Sequence, residues 1–184
     1  MTGMFDWFGK RAKSEDDAID ASRQALLIDP EDVKVWYSLG VAFDDLDRHD
    51  DAIAAYRQVL RLHPEFADAW YSLGLAYATL DRHDDAIAAY RQVVRLHPEA
   101  ADAWYSLGLA YAALDRHDDA IAAYRQVVRI NPEAADAWYL LGVASVLSGN
   151  RTAALDAVWE LRRLDPRKAD SLFNLIVPHW RNRG

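Results

Sequence analysis

Histidine beside paired carboxylates is the first arrangement in this chain with the makings of chemistry. The triplet occurs three times, as His49-Asp50-Asp51, His83-Asp84-Asp85 and His117-Asp118-Asp119. Imidazole and carboxylate together can hold a metal ion or relay a proton. The spacing argues against both. The triplets recur every 34 residues, which places them at equivalent turns of an array, in a row rather than around one point. A zinc site needs three or four ligands around one ion. The triplets read instead as helix starts, with Asp50 or Asp51 as the cap residue. His63 and His97 precede prolines at helix ends, where an imidazolium suits the dipole. There is no phosphate-binding glycine loop and no serine elbow, and with no cysteine there is no thiol nucleophile or thiolate metal site. The expectation is a protein that is not an enzyme, with no catalytic residues, no metal and no cofactor.

The row has a period because the chain has one. Six prolines fall at 30, 64, 98, 132, 166 and 178, the first five of them 34 residues apart. Four full units follow, 33–66, 67–100, 101–134 and 135–168. The second and third agree at 31 of 34 positions, and the first matches the second at 25 of 34. The fourth departs in its second half, where Asp-Arg-His-Asp-Asp becomes Gly149-Asn150-Arg151-Thr152-Ala153. Within a unit Trp70, Leu73, Gly74, Tyr77 and Leu80 mark one helical stripe, and Ala86, Ile87, Tyr90, Val93 and Val94 a second. A polar break, Leu80 to Asp85, separates them, and Pro98 closes the second helix. Asp81 stands where a tight turn between helices favours glycine, as Gly149 supplies in unit four. Aspartate tolerates the left-handed region better than most residues. Each unit therefore reads as a helical hairpin, and the chain as an all-α array that buries its core by stacking.

Trp36-x2-Leu39-Gly40-x2-Phe43, followed by Ala52-x3-Tyr56 and Pro64, resembles the tetratricopeptide repeat. Trp70, Leu73, Gly74, Tyr77, Ala86, Tyr90 and Pro98 carry the full pattern, as do Trp104, Leu107, Gly108, Tyr111, Ala120, Tyr124 and Pro132. Unit four keeps Trp138, Leu141, Gly142, Ala154 and Pro166 but has Ser145 and Val158 at the aromatic positions. The resemblance covers 33–168 closely and 15–32 in part. It implies a right-handed solenoid of antiparallel hairpins that acts as a binding module, with a partner segment held along a concave face lined by the first helix of each hairpin. The tryptophans and the Tyr56, Tyr90, Tyr124 series are expected in the core.

Twenty-nine acids against twenty-one bases leave a net charge of −8, a field that repels polyphosphate and lacks the basic stripe of a nucleic-acid binder. Much of that charge has a structural reason. Acids gather at helix starts and arginines such as Arg57, Arg61, Arg91 and Arg95 toward helix ends, which complements the macrodipole.

Projected onto the groove that the resemblance implies, the lining residues are Lys34, Tyr37, Val41, Asp44 and Asp45 in unit one and Asp68, Tyr71 and Leu75 in unit two. Unit three gives Asp102, Tyr105 and Leu109, and unit four Asp136, Tyr139 and Val143. The clamp by which chaperone adaptors of this family grip a C-terminal carboxylate would need basic residues and asparagine where Tyr37, Val41, Ser72, Asp102 and Ser106 stand. The asparagine ladder of sugar-transferase arrays would fall on Ser38, Ser72, Ser106 and Leu140. Neither is present. What remains is an acidic and aromatic trough that suits a basic or amphipathic peptide. A bland alternative is that tyrosine and aspartate were simply copied with the unit.

The ends are read as follows. Residues 1–14 form an aromatic and basic segment in which Phe5, Trp7 and Phe8 either cap the first hairpin or touch a membrane surface, and 15–32 form a partial repeat with a second helix only. Residues 169–184 hold a capping helix, Ala169 to Val177, that Pro178 stops. Its Leu172, Phe173, Leu175, Ile176 and Val177, followed by Trp180, leave room for a dimer contact. No secretory signal or membrane-spanning run is visible, and a cytoplasmic location is expected. The leading function is a scaffold that binds a partner protein. The alternatives are a structural protein that self-associates through its terminal repeats and an engineered consensus-like array without a partner, against which the irregular first and last units argue.

Overall fold

The computed structural model describes the backbone of residues 3–181 and the side chains of residues 16–177. Among the described residues ten helices follow in order: α1 (Gly3–Ile28), α2 (Val33–Asp45), α3 (His49–Leu62), α4 (Ala67–Thr79), α5 (His83–Leu96), α6 (Ala101–Ala113), α7 (His117–Ile130), α8 (Ala135–Ser148), α9 (Arg151–Leu164) and α10 (Pro166–Arg181). The chain divides into two compact units. One ends at Leu96 and holds α1 to α5; the other begins at His97 and holds α6 to α10. In the first, α2 pairs with α3 and α4 with α5, while α1 packs on α2 and α3 on α4. In the second, α6 pairs with α7 and α8 with α9, α7 packs on α8, and α10 lies against both α8 and α9. This is the sequence of helical hairpins that the tetratricopeptide pattern implies.

The hairpin turns come from one residue each. Asp47, Asp81 and Asp115 hold φ of 56°, 55° and 56°, and Gly149 takes their place in the last hairpin with φ 82°. Around Asp81 the Arg82 amide donates to the Tyr77 carbonyl at 2.9 Å and the Asp81 amide to Ala78 at 3.1 Å. This satisfies carbonyls that the end of α4 would otherwise leave open. The Arg82 guanidinium then sits 4.6 Å from the Tyr77 ring centroid, over the face where a cation is attracted. The hairpin interior closes on the small residues. A Cβ placed on Gly74 would lie 2.5 Å from Cε1 of Tyr90, so the two helices can approach this closely only without one.

Several expectations change. Neither Asp50 nor Asp51 caps α3: the helix starts at His49 and Arg48 holds the cap position. Asp51 is drawn instead to the Arg48 guanidinium, whose Nε lies 2.8 Å from it. Both acids remain in the first turn, where the dipole favours them. The tryptophans that open the repeats, Trp36, Trp70, Trp104 and Trp138, are half-buried rather than core residues. The Trp36, Trp70, Trp104 and Trp138 indole N–H groups each donate to the carbonyl of the proline six residues earlier, at 2.8 to 2.9 Å. The proline that ends one unit thus anchors the ring that begins the next. Tyr56, Tyr90 and Tyr124 are fully buried, as expected.

Backbone helicity in α1 reaches back to Gly3, but the side chains of Phe5, Trp7 and Phe8 lie outside the described residues. The last helix begins at Pro166, earlier than Ala169, and runs through Pro178 instead of stopping there. Proline's fixed φ is preorganised for a first helical position. The Asp165 carboxylate accepts from the amides of Arg167 and Lys168 at 3.1 and 3.2 Å. Those amides, with Lys168 nearby, hold the Asp165 carboxyl below the usual carboxylate range.

Candidate functional site

The residues expected to line a groove lie on α2, α4, α6 and α8, the first helix of each hairpin. In the first unit α2 and α4 touch directly, and the Tyr37 hydroxyl lies 3.3 Å from Ser72 Oγ. Tyr37 is half-buried, its ring edge-on to Phe66 at 5.2 Å and tilted against Tyr56 at 5.7 Å. Tyr71 leans on Tyr90 in the same way, at 5.8 Å. These tyrosines are therefore held by the buried ring of the following helix and present one edge outward. One turn further along, Val41 and Leu75 are 38% and 44% exposed, as befits contact positions and not core ones. Lys34, Asp45 and Asp68 are exposed beside them.

Asp44 does not face the groove as a free acid. It accepts the Tyr56 hydroxyl at 2.8 Å and lies 3.0 Å from His49 Nδ1. Burial, together with this bond and the Asp44 charge, raises the Tyr56 pKa. The sequence holds a signal for this contact, because Asp44 is a break in the repeat where the later units have Ala78 and Ala112.

In the second unit Tyr105 packs edge-on to Tyr124 with 6.1 Å between centroids, and Leu109 is exposed next to it. Burial raises the Tyr105 pKa, the Asp136 charge adding to that rise and Lys168 opposing it. In unit four Tyr139 and Val143 are half-buried and pack against the cluster formed by Val146, Ala154, Ala157, Leu161, Leu172 and Ile176, to which α10 contributes the last two. Asp136 is held by Lys168 Nζ at 2.7 Å. What stays open is a cleft of about 480 Å³. It is lined by Asp102, Tyr105, Asn131, Glu133 and Asp136 together with small residues at the starts of α6 and α8. Glu133 and Asn131 were not among the expected site residues. They sit beside Pro132, in a segment that reads only as a helix terminator.

The histidines take local partners. His83 Nε2 is 3.7 Å from Asp81 and His117 Nε2 is 3.9 Å from Asp115. Among the described residues no three of His, Cys, Asp and Glu converge as a metal site would require, and no helix is long and apolar enough to cross a membrane.

Comparison with known proteins gives a consistent result. The tetratricopeptide repeat matches residues 15–58, 41–92, 79–135 and 116–169. The crystal structure of MamA is similar at 32% identity and a TM-score of 0.77, covering 88% of this chain and 95% of that one. MamA 41-end from Desulfovibrio magneticus RS-1 is similar at 24% identity and a TM-score of 0.74, covering 84% and 87%. YrrB, a TPR protein with an unusual peptide-binding site, has 22% identity and a TM-score of 0.77, covering 88% and 84%. No curated protein sequence matches the chain.

Proposed function

The chain belongs to the tetratricopeptide-repeat family, and on that footing we propose that it is a non-enzymatic scaffold that holds a basic or amphipathic peptide segment of a partner protein against the first helices of its hairpins. The observation that carries this reading is the pairing, on the neighbouring helices α2 and α4, of an edge-presenting tyrosine with an exposed aliphatic one turn on: Tyr37 with Val41 and Tyr71 with Leu75. Rigid tyrosine edges and aliphatic knobs are favoured contact surface because they lose little conformational entropy on binding.

Charge sets the preference among segments. Asp45 and Asp68 flank the ladder of the first unit, and Asp102, Glu133 and Asp136 surround the open cleft of the second. A lysine or arginine entering that cleft meets three carboxylates against two cations, Lys168 on Asp136 and Arg163 on Glu133 at 2.9 Å. An acidic segment meets repulsion. YrrB, which shares the fold, is a TPR protein with an unusual peptide-binding site, and tetratricopeptide arrays mediate contacts between proteins, so a peptide-holding role fits the family. A chain without cysteine suits a reducing compartment, and we place its action in the cytoplasm.

The test is capture from a lysate of the source cell on immobilised wild type and on the Tyr71→Ala/Leu75→Ala variant. The proposal expects a protein retained by the first and lost from the second. Equal retention on both would remove the groove from the account.

A further inference from the structure

The repeat supplies an internal standard for what each position looks like when its neighbours are in place, and two surfaces fail that standard in complementary ways. In a complete hairpin the leucine of the first helix is buried against the second: Leu73, Leu107 and Leu141 are 3%, 2% and 3% exposed. Leu175 of α10 holds the same register and is 44% exposed. The side of α10 that faces α8 and α9 is well covered, with Ala169, Leu172 and Ile176 buried. Among the described residues, then, α10 is a first helix whose second-helix face is bare.

The opposite holds for α1, whose residues 16–30 follow the second-helix pattern. Ala18 and Ala21 stand in register with Ala52 and Ala55, both buried to within 2% in α3, yet both are exposed. Ile19, on the side facing α2, is buried. At Ala18 and Ala21 the face of α1 that a first helix would cover is open and carries only small side chains.

Hairpin four departs from the standard on its outer surface. In unit one Arg57 of α3 reaches the next hairpin and donates to the Tyr77 hydroxyl at 2.7 Å. The position in register on α9 is Trp159, 75% exposed, with Leu155 one turn back also exposed. An arginine has been replaced there by a tryptophan that leaves an exposed apolar surface on α9.

Charge favours joining these two surfaces. Residues 1–32 carry eight acids against the four bases Lys10, Arg11, Lys13 and Arg23, whereas residues 166–184 carry Arg167, Arg181 and Arg183 against Asp170, besides the Lys168 held by Asp136. We propose that a second copy of this chain docks its α1 on the bare face of α10, so that α10 of one copy and α1 of the next form a composite hairpin. Leu175 fills the place between Ala18 and Ala21. Such an interface is heterologous, so it grows head to tail.

Sedimentation of the full chain across a wide concentration range tests this. The mass is expected to rise from the 20.8 kDa monomer through successive multiples, and the rise should shrink as salt is added. Leu175→Asp and Ala21→Arg alter exposed residues, so both should keep wild-type helix content while each remains monomeric alone at concentrations at least tenfold above those at which wild type associates. Mixed together they should give a one-to-one dimer that grows no further, because each chain retains one working face. A wild type that stays monomeric throughout would overturn the proposal and leave the two faces to a different partner. Association of either variant as strong as wild type would overturn it too, by placing the contact elsewhere. Both substitutions lie outside the peptide groove, so peptide titration reports separately on the proposed function.

Discussion

Tyr56 donates its phenolic proton to Asp44 at 2.8 Å, and the other carboxylate oxygen of Asp44 lies 3.0 Å from His49 Nδ1. One acid thus satisfies two groups enclosed by the first hairpin. Sixty-eight residues on, Ala112 stands in register with Asp44, and the Tyr124 hydroxyl and His117 Nδ1 are buried without a partner. Leaving such a group unpaired costs about 1–3 kcal/mol. Asp44→Ala should therefore destabilise by about 1–3 kcal/mol, and Ala112→Asp should recover about 0.5–1.5 kcal/mol. Urea midpoints check both. An Asp44→Ala variant as stable as wild type would show that the bridge contributes nothing.

The close approach inside each hairpin should be intolerant of a single carbon. On Gly108 a Cβ would come 2.5 Å from Cε1 of the buried Tyr124. Gly108→Ala is expected to cost about 1–3 kcal/mol through overpacking, even though alanine is the better helix former. Adding Tyr124→Leu to that variant should return part of the loss, as measured by thermal unfolding.

The three left-handed aspartates should answer to backbone conformation more than to charge. Asp81 sits at φ 55°, where a side chain costs about 1–2 kcal/mol unless it is glycine or a small polar residue. Asp81→Gly should leave stability unchanged or raise it slightly, and Asp81→Val should lower it by about 1–2 kcal/mol. Equal effects of the two changes on the melting temperature would contradict a conformational origin.

Burial raises the pKa of both Tyr56 and Tyr124 above the ordinary tyrosine value. The folded chain therefore keeps protons that the unfolded chain gives up above pH about 10. More protons on the folded than on the unfolded state means that stability falls as pH rises. The contribution is complete below about pH 10 and declines steadily above it toward the raised folded values. Absorbance of tyrosinate against pH should show these two rings ionising together with loss of helix. Ionisation of all nine tyrosines with the helices intact would contradict it.

Much of the architecture was legible in the chain itself, because period and punctuation act locally. The polar break around Asp81 and the prolines 34 residues apart bound each helix, and Asp47, Asp81, Asp115 and Gly149 take up the left-handed turn that their residue types permit. Contacts set by neighbours in space were harder to read. Projection put Asp136, Tyr139 and Val143 along a groove, but nothing local shows that α10 begins at Pro166 and packs on α8, leaving Tyr139 and Val143 half-buried beside Leu172 and Ile176 and pairing Lys168 with Asp136. Asp44 looked like a groove acid because nothing local shows that a hydroxyl 12 residues on would turn it inward. Indole groups expected in the core proved to be ties to a proline carbonyl, since Trp spacing fixes a face but not a depth.

The central claim is that the tyrosine and aliphatic ladder, with its acids, holds a peptide of chosen charge. The most direct measurement is calorimetric titration of the full chain with two amphipathic peptides of identical apolar pattern, one bearing lysines and one glutamates at the remaining positions, repeated with the Tyr71→Ala/Leu75→Ala variant. The account predicts binding of the lysine peptide at least tenfold tighter than that of the glutamate peptide, weakened by salt and lost in the variant. Equal affinity for the two peptides, or a variant that binds as well as wild type, would contradict it.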